Sequence, residues 1–194
     1  GRCIIAVTPD GQRSMSTFLG AASLLEPADI SREAVQAGAV LFLEGYLFDR
    51  DEAKAAFKVA SKYAHEAGRK VSLTLSDSFC VDRHREDFLD LILNDIDVLF
   101  CNEFELQSLY QTSYEEALEQ LRNDCEFGAV TRDKRGSVVI NGHDLVHIEP
   151  EPVDWVVDAT GAGDQYAAGF LYGFTRGMAI EHCGRLGSMS ASEV

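Results

Sequence analysis

Asp158-Ala159-Thr160-Gly161-Ala162-Gly163-Asp164, running on into Gln165-Tyr166-Ala167-Ala168-Gly169-Phe170-Leu171, is the stretch that decides how the rest of the chain is read. Small residues lead into a long helical run. Such a loop presents consecutive backbone N–H groups at a helix N-terminus, where the macrodipole favours anions. Glycines let a phosphate approach the backbone closely. Asp164 then stands in the first turn, beside the anion site, where its charge would repel a phosphate. Two explanations stay open. It either caps the helix dipole, or it is a general base that takes a proton from a hydroxyl attacking a phosphoryl group. The stretch is neither G-x-x-x-x-G-K-[ST] nor a G-x-G-x-x-G after an early strand.

Working outward, strands alternate with helices. Cys3–Val7 is an apolar, β-branched run, Pro9-Asp10-Gly11 has turn chemistry, and Arg13–Phe18 alternates as a returning hairpin strand. Ser31 starts a short helix as its N-cap. Ala39–Leu43 is a continuous apolar run, the pattern of a strand buried on both faces. From Asp51 to Ala67 the residues Ala53, Ala56, Phe57, Ala60, Tyr63 and Ala64 share one helical face, and Gly68 closes it. Val71–Leu75 is the next strand, Arg85–Leu93 a helix, and Val98–Cys101 a strand. Helices follow at Glu103–Tyr110 and Tyr114–Asn123, then strands at Gly128–Thr131, Ser137–Ile140 and Leu145–Ile148, with an Asn141-Gly142 turn. Gly161–Arg176 and Ile180–Val194 are the closing helices. The alternation predicts an α/β fold with a mostly parallel sheet and helices on both faces.

The 194 residues suit one domain with a real core, and 46% hydrophobic with 25% charged residues excludes disordered and fibrous classes. Lys and Arg total 17 against 32 Asp and Glu, a net charge of -15, so neither nucleic acid nor an anionic membrane is an expected partner. Cys3, Cys80, Cys101, Cys125 and Cys183 make no C-x-x-C pair and read as reduced, half-buried thiols of a cytoplasmic protein. No apolar run reaches the roughly 18 residues of a membrane span, and no signal peptide is visible.

The stretch ending in Asp164 is similar to the D-T-x-G-A-G-D signature of the ribokinase (PfkB) family of small-molecule kinases, with Ala159 standing where Thr or Pro is usual. The resemblance implies a ribokinase-like, Rossmann-like fold, with Gly161, Ala162 and Gly163 as the anion hole for the transferred phosphate and Asp164 as catalytic base. It implies ATP and Mg²⁺ as cofactors and a sugar or nucleoside as acceptor. In the family the segment matching Asp158 and Thr160 helps bind a monovalent cation, which leaves potassium as an open expectation. Asn102-Glu103-Phe104-Glu105 resembles the family's N-x-x-E motif. Asn102 and Glu105 would then order water on Mg²⁺ beside the phosphates. The plain alternative is a helix capping box. Thr131-Arg132-Asp133-Lys134-Arg135-Gly136-Ser137 resembles the V-T-x-G-x-x-G nucleotide hairpin, with Asp133 in place of the first glycine, so Thr131 and Gly136 carry over. Thr8-Pro9-Asp10-Gly11-Gln12-Arg13-Ser14 resembles the hairpin after the lid strands in adenosine-kinase-like members. Arg13 either reaches the transferred phosphate or is a solvated strand arginine. Glu44-Gly45-Tyr46-Leu47-Phe48-Asp49 has the look of that same branch.

On this reading residues 1–194 form a partial kinase domain, its nucleotide-binding and catalytic portion. The start at Gly1 inside a strand-forming run leads us to expect that N-terminal strands and the lid are missing, and that an uncovered edge invites homo-oligomers. Two rival functions stand beside it. One is a nucleotide-binding regulatory protein of the same fold without turnover. The other is a dinucleotide-dependent oxidoreductase, which predicts an early G-x-G-x-x-G that the chain does not contain.

Overall fold

The computed structural model describes residues 1–9, 13–156 and 158–194. The first strands, β1 (Arg2–Val7) and β2 (Arg13–Phe18), pair antiparallel in a sheet of their own, with Val7 opposite Arg13. Both are exposed along their whole length, Ile4 and Phe18 included. The turn expected at Asp10-Gly11 lies outside the described residues.

Helix α1 (Arg32–Ala37) starts as expected, with the Ser31 hydroxyl accepting from the Ala34 amide at 3.2 Å. The chain then runs through β3 (Val40–Glu44), α2 (Asp51–Glu66), β4 (Lys70–Thr74), α3 (Ser78–Asp95) and β5 (Val98–Asn102). After α4 (Glu103–Tyr110) and α5 (Tyr114–Asp124) come β6 (Phe127–Thr131), β7 (Ser137–Asn141) and β8 (Asp144–Ile148), and finally α6 (Ala162–Phe174) and α7 (Ile180–Ala191). The six strands β3 to β8 form one sheet in sequential order, parallel from β3 to β6 and antiparallel at β6–β7 and β7–β8.

That order explains the layering. Successive parallel crossovers step in one direction across the sheet, and right-handed connections then place their helices on one face. Leu73, Leu99, Cys101, Val130, Val138 and Ile140 point to that face, into a core shared with α2 to α5. Their strand neighbours Val98, Phe100, Ala129 and Val139 point the other way, onto Tyr166, Ala167 and Phe170 of α6 and Cys183 of α7. The period-2 alternation of the strands therefore feeds two apolar layers at once.

Several expectations need correction. Ala39–Leu43 was expected to be buried on both faces, but β3 is the sheet edge among the described residues and only its Leu43 is buried. An apolar run in sequence does not distinguish an edge from a centre. Helix α3 begins at Ser78 and not at Arg85, because the Asp77 carboxylate caps it by accepting from the Cys80 amide at 2.7 Å. His84, with φ −128° and ψ 27°, interrupts its regular turns, and the expected helix matches only the part beyond that break. On α2 the face includes Ser61, while Tyr63 stays half-buried under the Arg32 guanidinium. Helix α7 ends at Ala191, short of Val194. All five cysteines are free thiols, four fully buried and Cys3 exposed. Among the described residues no helix is long and apolar enough to cross a membrane.

Candidate active site

The carboxyl ends of β3 to β6 point the same way, because those strands are parallel. Chain reversals just beyond them collect side chains that are far apart in sequence, as in open α/β sheets generally. Beyond β3 stand Gly45 and Tyr46, beyond β4 Ser76 and Asp77, at the end of β5 Asn102 with Glu105 just past it, and at the end of β6 Thr131.

The start of α6 is built as the sequence implies. Gly161 is the N-cap, at φ 86° and ψ −3°, a conformation that suits glycine, and no side chain caps the helix. The Ala162 amide donates to the Ala159 carbonyl at 3.2 Å and that of Gln165 to the Gly161 carbonyl at 2.9 Å. Between them, the amides of Gly163 and Asp164 have no acceptor among the described residues. A methyl group added at Gly161 or Gly163 would meet nothing within 4 Å, so no packed neighbour crowds these two residues. Uncapped donors at a positive, uncrowded helix end fit an anion. Asp164 is the acidic residue of the first turn, and it is exposed.

Electrostatics ties Asp164 to the strand ends. The Tyr46 hydroxyl donates to the Ser76 carbonyl at 3.0 Å, and the Tyr46 amide donates to Ser76 Oγ at 3.3 Å. Burial first, then the negative charges of Asp77, Glu105 and Asp164, push the Tyr46 phenol up to about 12, while Arg13 acts in the opposite sense. Five groups from five separate parts of the chain thus share one field. Arg13, exposed on β2, also reaches Asp158. The Asp158 carboxyl is held below its usual range by hydrogen bonds from the Thr160 side chain and amide, with Arg13 adding to them. Its Oδ1 accepts from Thr160 Oγ1 at 2.6 Å and from the Thr160 amide at 2.8 Å, so these two residues form a local turn leading into the cradle.

Asn102 and Glu105 form a complete capping box. Asn102 Oδ1 accepts from the amides of Phe104 and Glu105, both at 2.9 Å. Glu105 Oε2 accepts from the Asn102 amide at 2.9 Å and Oε1 from Asn102 Nδ2 at 2.7 Å. Burial pushes the Glu105 carboxyl up to about 7, the Asn102 amide works against that, and the Asp77 charge adds to it. Burial is the larger cause and the Asp77 charge the smaller, and both Glu105 oxygens together with Asn102 Oδ1 are already engaged within the capping box. Among the described residues no group of three or more His, Cys, Asp or Glu is placed to hold a metal directly.

Thr131 lies opposite Asn102 in the β5–β6 ladder, so the structure does bring these two together. Asp133 has φ 52°, a left-handed conformation at the place where the resembling pattern has glycine. Asp is among the few side chains that tolerate it. Gly136 is set apart from the cradle, because its free side is filled by the end of β8. A Cβ there would lie 2.0 Å from the Ile148 carbonyl oxygen. Sequence reasoning missed Asp77, which is legible only as a cap before Ser78, and gave Tyr46 no place in the site.

A mostly parallel sheet, an uncapped helix start carrying an acid, and ionisable groups gathered at the strand ends define an α/β protein with a candidate anion site at the start of α6. The chain belongs to the pfkB family of carbohydrate kinases, whose model matches residues 1–194. It is 46% identical to the adenosine kinase from Sinorhizobium meliloti, with a TM-score of 0.95 over 98% of this chain and 59% of that one. It is 33% identical over 136 residues to the cytidine kinase of Thermococcus kodakarensis, which is 66% of this chain and 47% of that protein. A ribokinase of Arabidopsis thaliana complexed with ribose and ATP shares the fold, at 24% identity and a TM-score of 0.77 over 98% of this chain and 61% of that one. The chain spans about half the length of the curated relatives it matches.

Proposed function

We propose that residues 1–194 are the nucleotide-binding and catalytic portion of an ATP-dependent kinase that phosphorylates a hydroxymethyl group of a sugar or nucleoside. The observation that carries this is the uncrowded, uncapped start of α6 with Asp164 in its first turn. A carboxylate beside an anion cradle weakens the hold on phosphate, a cost that a proton-accepting role explains better than dipole capping alone.

In the proposed reaction the Asp164 carboxylate accepts the acceptor's hydroxyl proton as that oxygen bonds to the γ-phosphorus. The bond from the γ-phosphorus to the bridging oxygen breaks, and ADP leaves with the electron pair. The loop Gly161-Ala162-Gly163 holds the migrating group through the Gly163 amide, that of Ala162 being donated to the Ala159 carbonyl, and Arg13 offsets its charge from the β2 side. Thr131 lines the nucleotide side, while Gly136 supports the hairpin from behind. Mg²⁺, ordered through water by Asn102 and Glu105, would supply charge neutralisation at the β- and γ-oxygens. Asp158 and Thr160 are the place where a potassium ion would act, next to the cradle. Catalysis of this kind is mainly positioning and electrostatics.

Tyr46 is anchored through its hydroxyl to Ser76, yet its residue is 45% exposed at the mouth of the site. An anchored, open aromatic ring is a stacking surface for a planar base and equally for the apolar face of a sugar ring, so Tyr46 fits either acceptor class.

The test is Asp164→Asn in the full-length protein that carries this chain. ATP binding should persist while turnover falls by roughly 10²–10⁴-fold. Turnover within a few-fold of the parent would make Asp164 a cap. A parent that binds ATP and phosphorylates no sugar or nucleoside would point to the regulatory protein instead.

A further inference from the structure

Among the described residues the layer between the sheet and α6–α7 is mainly apolar; Ser72 donates to the Leu41 carbonyl there at 3.0 Å, and one pair of hydroxyls meets each other. Ser137 Oγ and Tyr166 Oη lie 2.7 Å apart, in residues 2% and 3% exposed. Around them stand Val98, Phe100, Ala129, Val139 and Phe170. Burying two hydroxyls there brings no packing that a phenylalanine and an alanine would not supply, and each hydroxyl is costly unless it finds the other. Such a pair calls for a reason beyond filling the core.

Its position supplies one. Tyr166 follows Asp164 by two residues on α6, in the turn that carries the anion cradle. Ser137 is the first residue of β7 and the ladder partner of Thr131, at the end of the nucleotide hairpin. The bond therefore joins the two halves of the proposed site through the interior. Apolar contacts alone leave a helix free to slide or rotate slightly on a sheet, because they are non-directional. A hydroxyl–hydroxyl bond has a narrow optimum in distance and angle. The ring has little freedom on its far side, since a Cβ at Gly187 of α7 would already lie 2.9 Å from Tyr166 Cζ. Burial pushes the phenol up to about 12 against the opposing effect of Ser137, so the bond keeps its proton through the neutral range.

We propose that the Ser137–Tyr166 pair is a positioning contact that sets where Asp164 and the Gly163 amide stand relative to the nucleotide hairpin. This rests on the reading of Asp164 as the base.

The experiment uses the full-length enzyme with Tyr166→Phe, the double variant Ser137→Ala/Tyr166→Phe, and Asp164→Asn, each followed by kcat, the KM for ATP and the melting temperature. Tyr166→Phe keeps the ring and orphans the Ser137 hydroxyl, so its melting temperature should fall. The double variant removes both partners, and its melting temperature should return close to the parent's. A positioning role predicts that kcat drops about 10- to 100-fold in both, because small misplacements of reacting groups have effects of that order. The KM for ATP should stay within about threefold, as expected when only transition-state alignment is lost. If kcat recovers together with the melting temperature in the double variant, the pair is merely structural and the proposal is wrong. If kcat holds while the KM for ATP rises in proportion, the pair shapes nucleotide binding and the proposal is also wrong. Asp164→Asn separates the two levels. When it silences turnover and Tyr166→Phe does not, the positioning idea alone fails. When Asp164→Asn itself turns over normally, the base reading fails, and this proposal fails with it.

Discussion

Replacing Gly136 by alanine would add a methyl group where the backbone leaves no room. Two penalties act together. The residue sits at φ 74° and ψ −133°, a region that L side chains rarely occupy, at a cost of about 1–3 kcal/mol. Its Cβ would also fall 2.0 Å from the Ile148 carbonyl oxygen and 2.9 Å from the Pro150 nitrogen. These are backbone atoms and cannot rotate away, so the end of β8 must shift, for about 1–3 kcal/mol more. Gly142 supplies the control. It also has positive φ, at 59°, but a Cβ there meets nothing within 4 Å. Gly142→Ala should therefore show the conformational part alone, about 1–2 kcal/mol. We expect Gly136→Ala to destabilise by about 2–6 kcal/mol, and to lower the melting temperature by about 4–24 °C at the sensitivity of a domain this size. Urea unfolding at fixed m-value would measure both variants. Equal losses at the two glycines, within about 0.5 kcal/mol, would refute the reasoning. They would show that the close approach to Ile148 is no constraint and that the glycine of the hairpin pattern is there for the turn alone.

Glu105→Gln can keep only one of the two bonds that Glu105 now accepts from Asn102, so a modest stability loss of about 0.5–2 kcal/mol is expected whatever else the residue does. The discriminating result is an increase in the Mg²⁺ concentration for half-maximal activity, and an unchanged Mg²⁺ dependence would leave Glu105 as a cap only. Asp97 predicts a pH effect far from the site. Burial raises its carboxyl, but hydrogen bonds from Lys70 Nζ at 2.8 Å, the Val71 amide at 2.8 Å and His65 Nε2 at 3.0 Å outweigh it and hold the group below its ordinary range. The folded state then binds fewer protons than the unfolded one. Its stabilisation is full above the unfolded carboxylate value of about 3.9 and is lost as pH falls through the lower folded value. Asp97→Asn should flatten that acid limb in urea midpoints taken from about pH 6 to pH 2, and an unchanged slope would remove Asp97 from the account.

The sequence alone carried the alternation of strands and helices, because periods of 2 and 3.6 are local properties of a chain whose faces are unequal. It also carried the cap at Ser31, the hairpin β1–β2 and the cradle from Gly161 to Asp164, each set by residues within a few positions of one another. The resemblance to a kinase signature added Asn102, Glu105 and Thr131, which the parallel β5–β6 pairing does bring together. Everything that depends on which distant segments become neighbours was decided by the tertiary structure. Ala39–Leu43 has the composition of a central strand, and among the described residues β3 is the edge of the sheet, since edge or centre is a matter of what else pairs with it. Tyr46 and Asp77 enter the site because parallel strands align their carboxyl ends, and no local pattern marks them. Tyr166 reads in sequence as one more apolar residue on a helix face. Only the fold sets its hydroxyl against Ser137, because a hydrogen bond between residues 29 apart in sequence exists nowhere until the sheet and the helix have met.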